Sequence, residues 1–225
     1  MTVIILDQTA VGSGLGAAVP PLSIVVSPGV PTAIAVESDE RPLLVSMLLG
    51  GRLKPDSGRV LVDGVDDIDE LRRHTALVDT PFVAEPTASV SLATVLAEEF
   101  SFAGRSTGGR AIHHFLEQHR LGDYEKLPVR ALPAVDRVRL FSELAVLRAD
   151  VDVIIITSPE RHGAAASEWY GSVAAIAERG LAVAIVTDAA TARALVALGA
   201  RDAELPLPTT GDASEEPSPA ESRTK

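Results

Sequence analysis

Short stretches of this chain carry residue types that could do chemistry. His113, His114, Glu117 and His119 share one stretch of helical pattern, and His113 and Glu117, four apart, could hold a metal ion together. No H-E-x-x-H pair or repeated carboxylate–His spacing accompanies them, so a solvated helix face is the simpler reading. Ser158, Glu160 and His162 supply a nucleophile, an acid and a base, but no G-x-S-x-G turn surrounds the serine, and a hydrolase triad is not expected. Gly12, Gly14 and Gly16 begin like a dinucleotide fingerprint. Ala17 stands where its last glycine belongs and Pro20-Pro21 follows instead of a helix, so a flexible loop is expected. Asp66, Asp67, Asp69 and Glu70 lack the spaced ligands and central glycine of an EF-hand and read as a charged turn and helix start.

The composition narrows the classes further. The chain has 225 residues, 46% of them apolar, enough to fill a sizeable core. Thirty-one Asp and Glu stand against 20 Lys and Arg, a net charge of −11 that disfavours a nucleic-acid partner. Only Lys54, Lys126 and Lys225 are lysines, and there is no cysteine, so thiolate chemistry is excluded and a reducing compartment is implied. The first residues lack a signal-peptide pattern, and no apolar run approaches the roughly 18–20 residues that span a bilayer. A soluble cytoplasmic protein is expected.

The elements that must position any site follow from the apolar pattern. β-Branched runs at 3–6, 22–26, 32–36, 59–62, 76–78, 151–156 and 181–186 alternate with helical patterns at 42–49, 91–102, 110–119, 136–148, 164–179 and 190–198. Val153-Ile154-Ile155-Ile156 is apolar on both faces, as a central parallel strand under helices must be. The fold class is therefore α/β, with helices and no strand between 78 and 151, a helical insertion into the sheet core. Residues 208–225, rich in Pro, Ser and Glu and without a large apolar residue, are expected to be disordered.

Residues 22–64 read as strand, Pro28-Gly29 turn, strand, loop, helix, and then K-P-D-S-G-R-V-L-V-D-G at 54–64. This stretch resembles the start of an ABC-transporter ATP-binding subunit, and 54–64 is its most specific part. Further landmarks are similar to that family in order and spacing: 132–139 at its L-S-G-G-E-x-x-R signature, 151–159 at P-D-x-x-x-x-D-E-P, and 184–188 at V-x-V-T-H. The resemblance implies an ABC-type nucleotide-binding-domain fold, a P-loop NTPase-like sheet core over residues 1–207 with a helical subdomain at about 80–150.

It also implies an ATP site whose residues are replaced. The family's phosphate loop, G-x-x-x-x-G-K-[ST], cradles phosphate with backbone N–H groups, a lysine and a Mg²⁺-binding hydroxyl. Here Val36 and Arg41 take the glycine positions, Pro42 the lysine and Leu43 the hydroxyl, with Glu37, Ser38, Asp39 and Glu40 between. At an effective dielectric constant of about 20, a carboxylate about 4 Å from a phosphate costs on the order of 4 kcal/mol. A helix capped by Ser38 or Asp39, with Pro42 in its first turn and Arg41 paired to Glu37 or Glu40, is the simpler reading of this segment. Thr157 and Ser158 take the places of the Mg²⁺-holding aspartate and the water-orienting glutamate; Pro133-Ala134-Val135 replaces Ser-Gly-Gly. Asp188 replaces the γ-phosphate-contacting histidine and adds a negative charge, Asp79 replaces a Mg²⁺-sensing glutamine, and no aromatic ring lies in 11–21 to stack on adenine.

The expectation is thus a pseudo-ATPase with no catalytic residue, cofactor or metal of its own. It would be an accessory or regulatory subunit bound to a membrane transport subunit or another ABC subunit, as a homo- or heterodimer, in the cytoplasm or peripheral on the inner face of the plasma membrane. Residues 79–86 would form part of its docking surface. Two alternatives stand beside it: a divergent ATP-binding subunit that binds or hydrolyses ATP with a partner, and a non-transport regulatory protein that reuses the fold.

Overall fold

The computed structural model describes residues 1–36 and 40–203. Glu37, Ser38 and Asp39, and with them the expected helix cap, lie outside the described residues, as does the 208–225 tail. The strands are β1 Ile4–Val11, β2 Val19–Val26, β3 Thr32–Ala35, β4 Ser57–Val62, β5 Thr75–Val78, β6 Val153–Thr157, β7 Ala182–Thr187 and β8 Arg201–Asp202. The α-helices are α1 Arg41–Leu49, α2 Ile68–His74, α3 Leu92–Phe102, α4 Gly109–Gln118, α5 Ala134–Ala145, α6 Ala166–Glu178 and α7 Ala189–Ala197.

A five-stranded parallel sheet runs β5-β6-β7-β3-β8, and a three-stranded antiparallel sheet runs β2-β1-β4. The alternation of side chains along the central strands explains why their sequence is apolar throughout. Val153 and Ile155, with Ala182, Ala184 and Val186, face a core shared with α1 and the antiparallel sheet. Ile154 and Ile156, with Val183 and Ile185, face a second core built with α3, α5 and α6. Each strand is sealed on both sides, and the period-2 signal that marks a half-buried strand vanishes. Between β5 and β6 the chain passes through α3, α4 and α5. Among the described residues no helix is long and apolar enough to cross a membrane.

The differences from the pattern-based expectation have physical causes. β1 runs on to Val11 past Asp7 and Gln8, because Gln8 sits in a bulge at φ 48 that shifts its register against both neighbours. β2 begins at Val19 despite Pro20 and Pro21; it is an edge strand, and both prolines fall at the register shift between the Val11–Val19 and Thr9–Leu22 pairs, where proline is tolerated. The glycine-rich 12–16 segment makes the turn between β1 and β2, with a short 3₁₀ stretch at Gly14–Gly16. β8 has two residues, too few for a periodic signal. The acidic 66–70 cluster does start a helix: Asp67 caps α2, accepting from the N–H groups of Asp69 and Glu70, each at 3.0 Å.

Candidate functional site

In open parallel sheets, ligands bind in the crevice beyond the carboxyl ends of the strands. Here the start of α1 and the loops after β5, β6 and β7 meet at that end, and the residues expected there fall into two groups with different chemistry.

The first group is a chain of buried hydroxyls. Thr157 ends β6 at 1% exposure and donates its Oγ1 proton to Ser46 Oγ in α1 at 2.8 Å. Thr80 Oγ1 lies 2.8 Å from the same Thr157 oxygen and, since that oxygen's proton goes to Ser46, is the donor. Thr187, ending β7, donates to Glu160 Oε2 at 2.6 Å. Ser158 follows Thr157 in the left-handed region at φ 46 and starts the 3₁₀ turn Pro159–His162. Thr80 and the end of β6 are thus tied to α1 by neutral hydroxyls that satisfy one another, while the end of β7 is held by the Glu160 carboxylate.

The second group is an ionic cluster around Asp79, just after β5 and itself left-handed at φ 50. Arg137 in α5 grips its carboxylate with two bonds of 2.7 Å, His162 Nε2 lies 2.8 Å from it and Arg161 3.1 Å. The Asp79 and Arg137 side chains are 6% and 7% exposed, and Arg137 also lies over the Phe141 ring at 5.4 Å. Arg161 reaches on to the Thr157 carbonyl at 2.6 Å and to Glu85 at 3.4 Å, so the cluster joins the loop after β5, the turn after β6 and the helical segment.

The electrostatics of Asp79 follow from this geometry. Burial pushes its carboxyl up, but hydrogen bonds from His162 and Arg137 and the charges of Arg137 and Arg161 outweigh that and hold its pKa below the usual 3.8. The stabilisation is therefore complete above the unfolded value and lost as pH falls through the lower folded one. Urea midpoints measured from about pH 6 down to about pH 3 are expected to drop more steeply for the wild type than for Asp79→Asn; parallel curves would contradict the assignment.

The structure places the expected residues one by one. Asp188 is no loose negative charge: it caps α7, accepting from Ala190 and Thr191 N–H groups at 2.7 and 2.8 Å. Pro42 sits buried in the first turn of α1, beside Leu43, and Arg41 Nε donates to the Ala18 carbonyl at 2.9 Å. Val36 N–H donates to the Thr187 carbonyl at 3.0 Å, which zips β3 to β7. Pro133 begins α5 with no side-chain cap. Asp79 and Thr80, expected on a docking surface, are 6% and 0% exposed, and the surface of that segment begins at Pro81. The correction has a simple cause, because a carboxylate two arginines can reach is drawn inward. Ser158, Glu160 and His162 do not act together, since Glu160 accepts from Thr187 and His162 turns to Asp79. His113 bonds Glu125 at 2.8 Å, and among the described residues no His, Asp or Glu side chains gather as a metal-holding group.

Sequence reasoning missed Arg137, Arg161 and His162 as partners of Asp79, and Ser46 and Thr80 as partners of Thr157. No local pattern marks pairs so far apart in the chain.

No protein-family model and no curated protein sequence matches the chain. Solved structures do. An ABC transporter ATP-binding protein from Pyrococcus furiosus superposes with a TM-score of 0.61 at 15% identity, covering 83% of this chain and 91% of its own. The ADP form of an ATP-binding cassette of an ABC transporter gives 0.62 at 16%, covering 84% and 82%. A Clostridium perfringens protein that is part of an ABC transporter complex gives 0.59 at 18%, covering 82% and 78%. At these identities the likeness speaks for the fold, and the chain has the α/β fold of an ABC-transporter nucleotide-binding domain.

Proposed function

We propose that this chain is a pseudo-ATPase relative of ABC-transporter ATP-binding subunits, an accessory or regulatory subunit held at the inner face of a membrane by a transport protein or another ABC subunit. Residues 1–207 would be its single domain, with a helical subdomain at about 80–150. One observation carries the reading: the carboxyl ends of β5 and β6 and helix α1 meet through hydroxyls, Thr80, Thr157 and Ser46, bonded to one another. Mg²⁺ takes carboxylate and phosphate oxygens in an octahedral shell, and these spent hydroxyls are poor substitutes. A triphosphate needs N–H donors and cations at the helix start, where Pro42 has no N–H to offer. Arg137 and Arg161, the cations beside β5 and β6, are already committed to Asp79. The residues present therefore do not fit Mg-ATP, and no step of ATP hydrolysis is assigned to them.

Isothermal titration of the purified protein with Mg-ATP is expected to give no binding heat up to millimolar nucleotide. Micromolar binding would favour instead the divergent ATP-binding subunit that works with a partner.

The partner reading is supported by the surface beside the helical segment, where the family resemblance places contact with a membrane protein. Val83, 46% exposed, and Phe102, 67% exposed, line a groove of about 860 Å³, and Phe82, next to Val83 in the chain, is 96% exposed. Large apolar side chains exposed beside a groove are a common mark of an interaction site.

A further inference from the structure

A second cavity lies away from the strand ends. The end of α1, the turn after it, the first half of β4 and the start of α2 enclose about 380 Å³, within the roughly 300–1,000 Å³ of small-molecule pockets. Pro42 stands at the other end of α1, a nine-residue helix about 13 Å long, so this cavity is separate from the phosphate-loop position. Leu48, Val60 and Leu71, all core residues, close it from beneath. Leu53 and Pro55, half-buried, and Ile68, 38% exposed, offer it apolar surface. Hydrogen bonds fix the frame: Arg72 Nε donates to the Gly51 carbonyl at 2.7 Å, Leu53 N–H to the Met47 carbonyl at 3.1 Å and Asp56 N–H to the Ala10 carbonyl at 2.9 Å.

The charges on the rim do not satisfy one another. Lys54 and Asp66 both line the cavity, yet neither has a hydrogen bond or ion pair among the described residues. Their places in the chain give the reason: Lys54 comes just before β4 and Asp66 just after it, so the length of that strand lies between them. Arg59, nearer Lys54 along the strand, gives one hydrogen bond to Asp7 at 2.9 Å and has a side chain 63% exposed, with further guanidinium donors to offer. A chain of net charge −11 thus keeps an unpaired lysine and a partly used arginine at one end of an apolar pocket, and an unpaired carboxylate at the other.

We infer that this pocket binds a small monocarboxylate with a linear apolar body, its head between Lys54 and Arg59 and its tail along Leu53, Pro55 and Ile68 towards Asp66. The two cations recognise the head through charge-assisted hydrogen bonds, and the walls gain by taking the tail out of water. Asp66 sets the selectivity, because a second negative charge at the tail end would meet its carboxylate. The inference goes beyond the pseudo-ATPase reading and does not depend on it.

Amide NMR titrations of the full chain with octanoate, octanedioate and octylamine test it. Octanoate is expected to shift the amides of Gly51, Leu53, Gly58 and Leu71, and to bind about fivefold more tightly than the other two, the upper end for an ion pair open to solvent. Lys54→Glu should weaken octanoate by about the same factor. Lys126→Glu, the same charge change at an exposed site elsewhere, should leave it unaltered. Asp66→Lys should raise octanedioate to the affinity of octanoate. Lys54 and Asp66 are both exposed, so these variants leave the core untouched. No amide shift at about 10 mM octanoate, or shifts confined to other parts of the chain, overturns the site. Equal binding of octanoate and octylamine, or binding that Lys54→Glu does not weaken, overturns the carboxylate assignment. Octanedioate that binds the wild type as well as octanoate does, or stays weak on Asp66→Lys, overturns the placement of the tail.

Discussion

Arg137→Met is expected to lower the unfolding free energy by about 3 kcal/mol, because it leaves Asp79 buried without its two-bonded partner. Removing one member of a buried pair usually costs about 3–5 kcal/mol; the lower end applies because His162 and Arg161 remain beside the carboxylate. For a domain of this size that is a fall in Tm of roughly 6–12 °C. Asp79→Asn should cost less, since an amide still bonds and carries no charge to strand. The double substitution should be milder than the sum of the two single ones, as removing both charges removes the stranded one. Urea unfolding of the four proteins measures the coupling directly. Additive effects would mean that the pair, despite its geometry, does not hold the helical segment to the sheet.

Gly58→Ala is expected to be at least as damaging. Gly58 lies at φ +76, and a Cβ there would sit 2.2 Å from the Gln8 carbonyl oxygen and 2.4 Å from its carbon, both backbone atoms of β1. An alanine meets a left-handed backbone it disfavours and a strand that must move. Together these cost about 3–5 kcal/mol. Gly64, in the same 54–64 motif and at φ +82, has no atom within 4 Å of its missing Cβ. Gly64→Ala should therefore cost only the conformational share, about 1 kcal/mol. Thermal melts of the two variants separate the contributions, and equal losses would show that the close approach of β4 to the β1 bulge does not matter.

Gly58 also shows how sequence and structure divide the explanation. The K-P-D-S-G-R-V-L-V-D-G run was the most specific part of the family resemblance, and its central glycine stands where β4 crosses the bulge at Gln8. The helix patterns at 42–49, 91–102 and 190–198 lie within a residue or two of α1, α3 and α7, because apolar spacing and helix caps are local signals. The bulge itself was hidden: Asp7-Gln8-Thr9 looks like the end of a strand, and only pairing with two neighbours keeps it one.

The site divides in the same way. That Pro42, Leu43, Thr157 and Asp188 stand at strand–helix junctions follows from order and spacing along the chain. What those side chains do there was decided by tertiary contacts: Thr157 by Ser46, 111 residues away, and by Thr80, 77 away; Asp79 by Arg137, 58 away. The sequence alone therefore determined the α/β class, since burial on one or both faces writes itself into neighbouring positions. Only the folded chain decided that Asp79 turns inward to two arginines, that Asp188 serves a helix cap, and that Lys54 and Asp66 are left unpaired on the rim of one pocket. Charges choose partners by distance in space, and nothing in a local pattern records which distant residue the fold will bring within 3 Å.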